Sequence, residues 1–140
     1  MSHLANNQGP NLLEKLVQEA KMYKEQGFKA IKMKVGLGLD QDEQHVKAVR
    51  KAIGLEVDLM IDANHAYSYS EALELCSRLE SEKIKFFEEP ISPEFYDQYA
   101  QLRSKTNIAI AGGECEYLRH GFKTLMDKKS VDIIQVYKIF

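Results

Sequence analysis

Two lysines and four acidic residues occupy short motifs that follow apolar runs of the sequence. The motifs are Lys32-Met33-Lys34, Asp62-Ala63-Asn64, Glu88-Glu89-Pro90 and Gly112-Gly113-Glu114. Grouped carboxylates repel one another, and they are costly to remove from water unless a cation joins them. Oxygen-only ligands suit a hard divalent cation such as Mg²⁺ better than they suit zinc. An amine beside such a site is a candidate general base.

The elements that must position these motifs alternate regularly along the chain. Strands are predicted at residues 30–35, 57–63, 84–88, 108–111 and 131–136, so they begin at intervals of 27, 27, 24 and 23 residues. Five amphipathic helices precede or separate them. This repeat predicts an α/β fold, an incomplete TIM-type β/α barrel of about five parallel strands and five helices, since a full barrel needs eight strands. The alternative is a free-standing doubly wound domain of the flavodoxin type, which does not require carboxylates at three successive strand ends.

Capping signals fix the predicted starts of four of the helices. They are Asn11 with Glu14, Asp40 with Glu43, Ser68 with Glu71, and Ser92 as N-cap followed by Pro93 as first helical residue. A fifth helix is predicted around Leu118, Phe122 and Leu125. Gly36-Leu37-Gly38 follows a strand, but Gln41 stands where a dinucleotide motif needs its third glycine, so that signal is weak.

Because the carboxyl ends of parallel strands open onto one face, we expect Asp62, Glu88 and Glu114 to converge there. Lys32 and Lys34 lie two residues apart and therefore share one face of their strand. Like-charge repulsion between two such amines favours the neutral form that a base needs.

Four stretches together resemble the strand-end motifs of the mandelate racemase and muconate lactonizing enzymes of the enolase superfamily. They are Gly27 to Gly36, Ile61 to Asn64, Phe86 to Pro90 and Ala111 to Glu114, and the resemblance covers about residues 11–136. It implies that Asp62, Glu88 and Glu114 bind Mg²⁺, that Lys34 is the catalytic base, and that Lys32 orients the substrate carboxylate. The candidates for substrate contact or support are Asn64, His65, Glu89 and Tyr137, with Cys115 and Glu116 beside Glu114.

The reaction implied by this resemblance is removal of the α-proton of a small carboxylate, a hydroxy acid or acid sugar. A metal-stabilised enediolate forms and leads to dehydration or racemisation. The phrase Glu89-Pro90-Ile91-Ser92-Pro93-Glu94 is similar to acid-sugar dehydratases and favours dehydration.

Parts of the family pattern have no counterpart in the sequence: the capping domain, the first barrel strand, and strands seven and eight with their histidine. Relatives carry an aspartate or catalytic lysine near Tyr137, for which Lys138 is a shifted candidate. We therefore expect the isolated chain to be a truncated, inactive form of the enzyme. The alternative is a catalytically silent, self-associating β/α scaffold.

Composition limits the remaining possibilities. The 140 residues predict one domain at 11–140 after a disordered tail at 1–10, and the net charge of −2 predicts neither a nucleic-acid nor a membrane partner. Two cysteines form no disulfide framework, which favours a cytoplasmic location. Open edges at strands 30–35 and 131–136, with Met60, Phe86 and Ile110 exposed on the inner face, predict a homo-oligomer.

Overall fold

The computed structural model describes residues 2–4 and 11–136, and these alternate between parallel strands and helices. The strands are β1 (Ser2–Leu4), β2 (Ala30–Lys34), β3 (Asp58–Asp62), β4 (Ile84–Glu88), β5 (Ala109–Gly112) and β6 (Ile133–Ile134). The helices are α1 (Leu12–Glu25), α2 (Leu39–Ile53), α3 (Tyr69–Arg78), α4 (Tyr96–Lys105) and α5 (Arg119–Asp127), with a 3₁₀ turn at Glu80–Glu82. The predicted alternation is confirmed. The strand predicted at 131–136 is shorter, because only two of its residues pair with β5.

The six strands form one sheet in the order β1-β2-β3-β4-β5-β6, with every neighbouring pair parallel. A doubly wound sheet reverses its strand order at a switch point, as in the flavodoxin order 2-1-3-4-5. The strictly sequential order excludes that alternative for the described residues and is the order of a β/α barrel.

The strand β1 corrects two expectations about the start of the chain. Ser2 pairs with Ile31 and Leu4 with Met33, so residues 2–4 form a strand where a disordered tail was predicted. The same pairing places a strand before β2 and covers the β2 edge, which was predicted to be open. The rest of the predicted tail lies outside the described residues.

The two faces of the sheet carry separate apolar clusters. The larger one packs strands against helices and includes Ile31, Met33, Leu59, Ile61 and Phe87, among others. The smaller, on the inner face, contains Met60, Phe86 and Ala111, flanked by Ala30 and Ala109.

The predicted exposure of Met60, Phe86 and Ile110 is wrong. Met60 and Phe86 are buried against each other on the inner face. Ile110 pairs with Phe87 and lies in the helix-facing cluster. Residues of one strand alternate between faces, so the inward positions of β5 are Ala109 and Ala111 instead.

Helix α1 begins directly after Asn11, as predicted. Of the predicted capping bonds, the capping box of Ser68 and Glu71 is confirmed, because each side chain bonds the other residue's backbone N–H. The Asn11 side chain makes no capping bond at α1. Helix α4 starts at Tyr96 rather than Pro93. The backbone carbonyl of Ser92 instead accepts the Phe95 N–H at 3.2 Å, which closes a turn before the helix.

Asp42, rather than Asp40, organises the entry into α2. One oxygen, Asp42 Oδ2, accepts the backbone N–H groups of Gly36, Leu37 and Gly38 at 2.9 to 3.0 Å, and the Tyr67 hydroxyl donates to it as well. The carboxylate is buried beneath the loop that follows β2. It therefore fixes the segment that leads away from Lys34.

Arg50 has the corresponding role at the amino ends of the strands. Its buried guanidinium donates to the carbonyls of Gly54 and Val57 at 2.7 and 2.9 Å, and to those of Glu82 and Lys83 at 2.8 and 3.1 Å. Four carbonyls that precede β3 and β4 are thereby held by one side chain. Among the described residues, none of the helices has the length and apolar content that a membrane crossing needs.

Candidate functional site

One register row crosses the carboxyl end of the sheet and carries the chemistry. Lys34 pairs with Asp62, Asp62 with Glu88, and Glu88 with Ala111. Adjacent strands lie about 4.8 Å apart, so successive side chains of such a row that point the same way come into contact. Asp62 and Glu88 are both 2% exposed, and the predicted convergence of these two carboxylates is present in the structure.

Lys32 joins the two carboxylates. Its Nζ lies 2.5 Å from Glu88 Oε2 and 3.2 Å from Asp62 Oδ2, and its side chain is buried. Burial alone would lower the pKa of Lys32, but the hydrogen bond and charge of Glu88, with those of Asp62, raise it above its ordinary value. The expectation of a lysine pair that favours its neutral form is therefore wrong for Lys32, because two carboxylates outweigh one neighbouring amine.

Lys34 lies at the solvent side of the same cluster. Its Nζ donates to Asp62 Oδ2 at 2.6 Å and also to Asn64 Oδ1, and its side chain is 33% exposed. The Asn64 backbone N–H donates to Asp62 Oδ1 at 3.1 Å. Asn64 thus connects the lysine and the aspartate, and of the two lysines it is Lys34 that is open to an incoming molecule.

Glu114 lies two residues beyond β5, in a half-buried position. The preceding Gly113 has φ +114°, and a Cβ there would lie 3.2 Å from Gln135 O, so glycine is required for this turn. The metal site predicted to be shared by Asp62, Glu88 and Glu114 stays a prediction.

A second set of predicted residues, His65, Glu89 and Cys115, forms a cluster of its own. Among the described residues, these form the group of three potential ligands whose ligand atoms all lie within 4.8 Å of one another. His65 Nε2 contacts Glu89 Oε2, and Cys115 Sγ lies 3.7 Å from the same ring nitrogen. Burial raises the pKa of Glu89 above its ordinary value, against the opposing charge of the His65 ring. Burial beside Glu89 also raises the pKa of Cys115 to about 11.

The sequence identified these three residues as candidates but missed their contact. His65 and Glu89 have φ angles of +66° and +40°, which non-glycine residues rarely adopt. At these turns the side chains no longer alternate between the two faces of the sheet, and the prediction depended on that alternation. Glu116 accepts the Tyr96 hydroxyl at 2.6 Å and so braces the start of α4. Tyr137 and Lys138 lie outside the described residues.

Comparison with known proteins identifies the family. The sequence profile of the enolase C-terminal domain-like family matches residues 15–138. The chain is 43% identical over 124 residues to arabinonate dehydratase from Saccharolobus solfataricus, covering 88% of this chain and 33% of that protein.

Solved structures agree. The 3,6-anhydro-D-galactonate cycloisomerase from Zobellia galactanivorans superposes with a TM-score of 0.89 at 56% identity, covering 96% of this chain and 37% of that one. L-talarate dehydratase from a Polaromonas species, in complex with Mg and L-glucarate, superposes with a TM-score of 0.88 at 27% identity, covering 96% and 38%.

The chain thus spans about a third of the length of these relatives. The profile match and the sequential order of the parallel strands agree with one another. This chain belongs to the enolase C-terminal domain-like family, whose relatives include dehydratases, cycloisomerases and dipeptide epimerases.

Proposed function

We propose that this chain supplies the base and the Mg²⁺ ligands for removing the α-proton of an acid-sugar carboxylate. The observation that carries the proposal is the meeting of two amines with two buried carboxylates at one point. Lys34 Nζ lies 2.6 Å and Lys32 Nζ 3.2 Å from the same oxygen of Asp62. The α-proton of a carboxylate is very weakly acidic, so its removal needs a base and a fixed positive charge together.

The donor set fits Mg²⁺. Asp62 and Glu88 offer buried oxygen atoms on adjacent strands, and Glu114 offers a third carboxylate beyond the next strand. Mg²⁺ prefers oxygen ligands of this kind. Bound by these three residues, the ion would supply positive charge to the substrate carboxylate and stabilise the negative charge that develops as the α-proton leaves.

We assign the two lysines different roles, according to how deeply each side chain is buried. Lys34, partly exposed, takes the α-proton, and Asn64 holds its amine in position. Lys32, buried between Asp62 and Glu88, orients the substrate carboxylate from below. The contacts of Lys32 with both carboxylates raise its pKa and so favour its charged form, which suits a group that binds a carboxylate.

For the substrate we propose an acid sugar that carries an oxygen substituent on the carbon next to the α-carbon. Two relatives of high identity support this class, because they are named for arabinonate and for 3,6-anhydro-D-galactonate, at 43% and 56% identity, while the dipeptide epimerase from Enterococcus faecalis is 30% identical. Once Lys34 has removed the α-proton, the β-carbon–oxygen bond breaks and the departing oxygen takes up a proton. The result is loss of water, or ring opening where that oxygen belongs to an anhydro ring.

We propose that the complete reaction needs further segments like those of the relatives, because the relatives are about three times the length of this chain. By itself, the 140-residue chain is expected to leave acid sugars unchanged. The direct test is a chimera in which residues 11–140 replace the matching segment of the Zobellia galactanivorans cycloisomerase. The chimera should open 3,6-anhydro-D-galactonate in the presence of Mg²⁺, followed by NMR in D₂O.

Lys34→Ala in that chimera should lower the turnover number by about 10² or more, the usual contribution of a general base. Lys85→Ala is the matched control, because Lys85 is an exposed lysine that pairs with Asp58 at the other end of the sheet. Equal activity of the Lys34→Ala chimera and its parent would exclude Lys34 as the base. If the parent chimera folds but is inactive, the proposed reaction is wrong for these residues.

A second candidate is a self-associating scaffold without catalysis. The observation that favours it is the edge at β6, where Ile133 and Ile134 are 36% and 37% exposed and Val136 is 69% exposed. An exposed apolar edge strand offers backbone donors and acceptors to another chain. Homo-oligomers formed through β6 are compatible with either function, so turnover by the chimera, rather than assembly, separates the two.

A further inference from the structure

The cluster of His65, Glu89 and Cys115 lies beside the proposed Mg²⁺ ligands but shares none of them. His65 follows β3, Glu89 follows β4, and Cys115 follows β5, so each side chain comes from a different strand end. Their ligand atoms lie within 4.8 Å of one another, and Cys115 Sγ is 3.7 Å from His65 Nε2. One imidazole, one carboxylate and one thiol therefore converge on a single small volume.

Glu89 gives an independent sign that this cluster lacks a partner. The residue is 1% exposed, and its Oε1 atom is buried without a hydrogen-bond partner among the described residues. Its other oxygen contacts His65 Nε2, and this contact must open for the nitrogen to bind an ion. A buried carboxylate oxygen without a donor is unfavourable, whereas a cation bound between the three side chains would satisfy it.

We propose that His65 Nε2, the Glu89 carboxylate and Cys115 Sγ form a binding site for a borderline-soft divalent cation of the Zn²⁺ type. Tetrahedral zinc with Zn–S near 2.3 Å and Zn–N near 2.05 Å separates sulfur and nitrogen by about 3.5 Å. The distance of 3.7 Å between Cys115 Sγ and His65 Nε2 is close to that value. Three protein ligands leave the fourth position to water.

The chemistry of the ligands separates this site from the Mg²⁺ site. Thiolate and imidazole select zinc-type ions, while the carboxylates Asp62, Glu88 and Glu114 suit Mg²⁺. A Zn²⁺ ion held by His65, Glu89 and Cys115 would link the loops after three successive strands. Because the ion binds the folded chain, it should raise the unfolding temperature.

The test is a titration of the purified, reduced chain with Co²⁺, which takes the place of Zn²⁺ and reports its ligands by absorption. A sulfur-to-cobalt charge-transfer band in the near ultraviolet is expected, together with the visible bands of tetrahedral cobalt, and Zn²⁺ should abolish both. Cys115→Ser should remove the charge-transfer band, and His65→Gln or Glu89→Gln should weaken Co²⁺ binding at least tenfold. Cys76→Ser is the matched control and should keep the band, because Cys76 is a buried cysteine of α3 outside the cluster.

Two further measurements keep the result specific. Asp62→Asn should leave the charge-transfer band intact, and excess Mg²⁺ should not displace the cobalt. Circular dichroism establishes that each variant is folded. The proposal is overturned if the native chain gives no charge-transfer band, if the band survives in Cys115→Ser, or if it disappears in Asp62→Asn. A missing cobalt–sulfur band would contradict this site alone, because Cys115 is not among the proposed Mg²⁺ ligands.

Discussion

Lys32 Nζ donates to Glu88 Oε2 at 2.5 Å, although β3 separates the strands on which the two residues lie. The amine reaches this position by passing Asp62, which it also contacts at 3.2 Å. One positive charge therefore serves two buried carboxylates. Lys34 contacts Asp62 as well, so Lys32 supplies the amine contact that Glu88 makes in this cluster.

The first prediction follows from that shared charge. Lys32→Met should lower the free energy of unfolding by about 3 kcal/mol, because it leaves the buried carboxylate of Glu88 without its amine partner. Urea unfolding followed by circular dichroism measures the loss. Lys85→Met, which breaks an exposed pair with Asp58, should change the stability by at most about 1 kcal/mol. Mg²⁺ should restore part of the stability of Lys32→Met, and the absence of any destabilisation would refute the shared role of this amine.

The second prediction distinguishes two neighbouring aspartates of α2. Asp42→Ala should cost about 3 kcal/mol or more of unfolding free energy, because it leaves backbone N–H groups of the loop after β2 without their acceptor. Asp40→Ala should have little effect, since the Asp40 side chain is 95% exposed and pairs with Arg78 at the surface. Equal unfolding midpoints for the two variants in urea would contradict this assignment.

The third prediction concerns pH. Burial lowers the pKa of His45 below its ordinary value of 6.5, against the opposing charge of Asp42. The unfolded chain therefore binds a proton more readily than the folded chain does. The resulting stability is fully present above pH 6.5 and declines as the pH falls below it, towards the lower pKa of the folded state.

Unfolding in urea across this pH range should show a shallower pH dependence for His45→Met than for the native chain. His120→Gln is the control, because His120 is exposed on α5 and its replacement should leave the slope unchanged. A His45→Met slope equal to the native one would mean that protonation of other groups accounts for the acid sensitivity.

The fourth prediction concerns association through β6. The native chain should form dimers or larger species at micromolar concentration, and Ile134→Lys should shift it towards the monomer, because a charged lysine blocks edge pairing. Leu55→Lys is the matched control: it also replaces an exposed apolar residue, 73% exposed, but lies between α2 and β3. Sedimentation equilibrium gives the masses. A monomeric native chain would rule out pairing at this edge.

Periodicity in the sequence predicted the alternation of strands and helices because each element shows its apolar face directly. It also predicted that Asp62 and Glu88 meet, since parallel strands bring their carboxyl ends together. It did not predict β1, because a strand of three residues is too short to show a pattern and depends on its pairing with β2. The contact of His65 with Glu89 was missed because both residues adopt positive φ angles, which break the alternation used to assign faces.

The direction in which the pKa of Lys32 is shifted could not be predicted from sequence for a different reason. The sequence shows two lysines two positions apart, and their mutual repulsion is the visible effect. The stronger effect comes from Glu88, fifty-six residues further along the chain, and becomes apparent only when the strands are arranged. Long-range charges of this kind are a property of the fold rather than of the local motif.

The four carbonyls held by Arg50 lie at the amino ends of the strands, and the lysines and carboxylates lie at the carboxyl ends. The five residues of β3 separate these two ends by about 13 Å, a distance at which substitutions act independently. The contacts that stabilise the fold and the residues proposed for the reaction therefore lie at opposite ends of the same strands. A library that varies the loops around Asn64 and Glu114 can search for new substrates while the contacts of Arg50 keep the variants folded. Substitutions that raise thermal stability can be selected around Arg50 without changing the reaction.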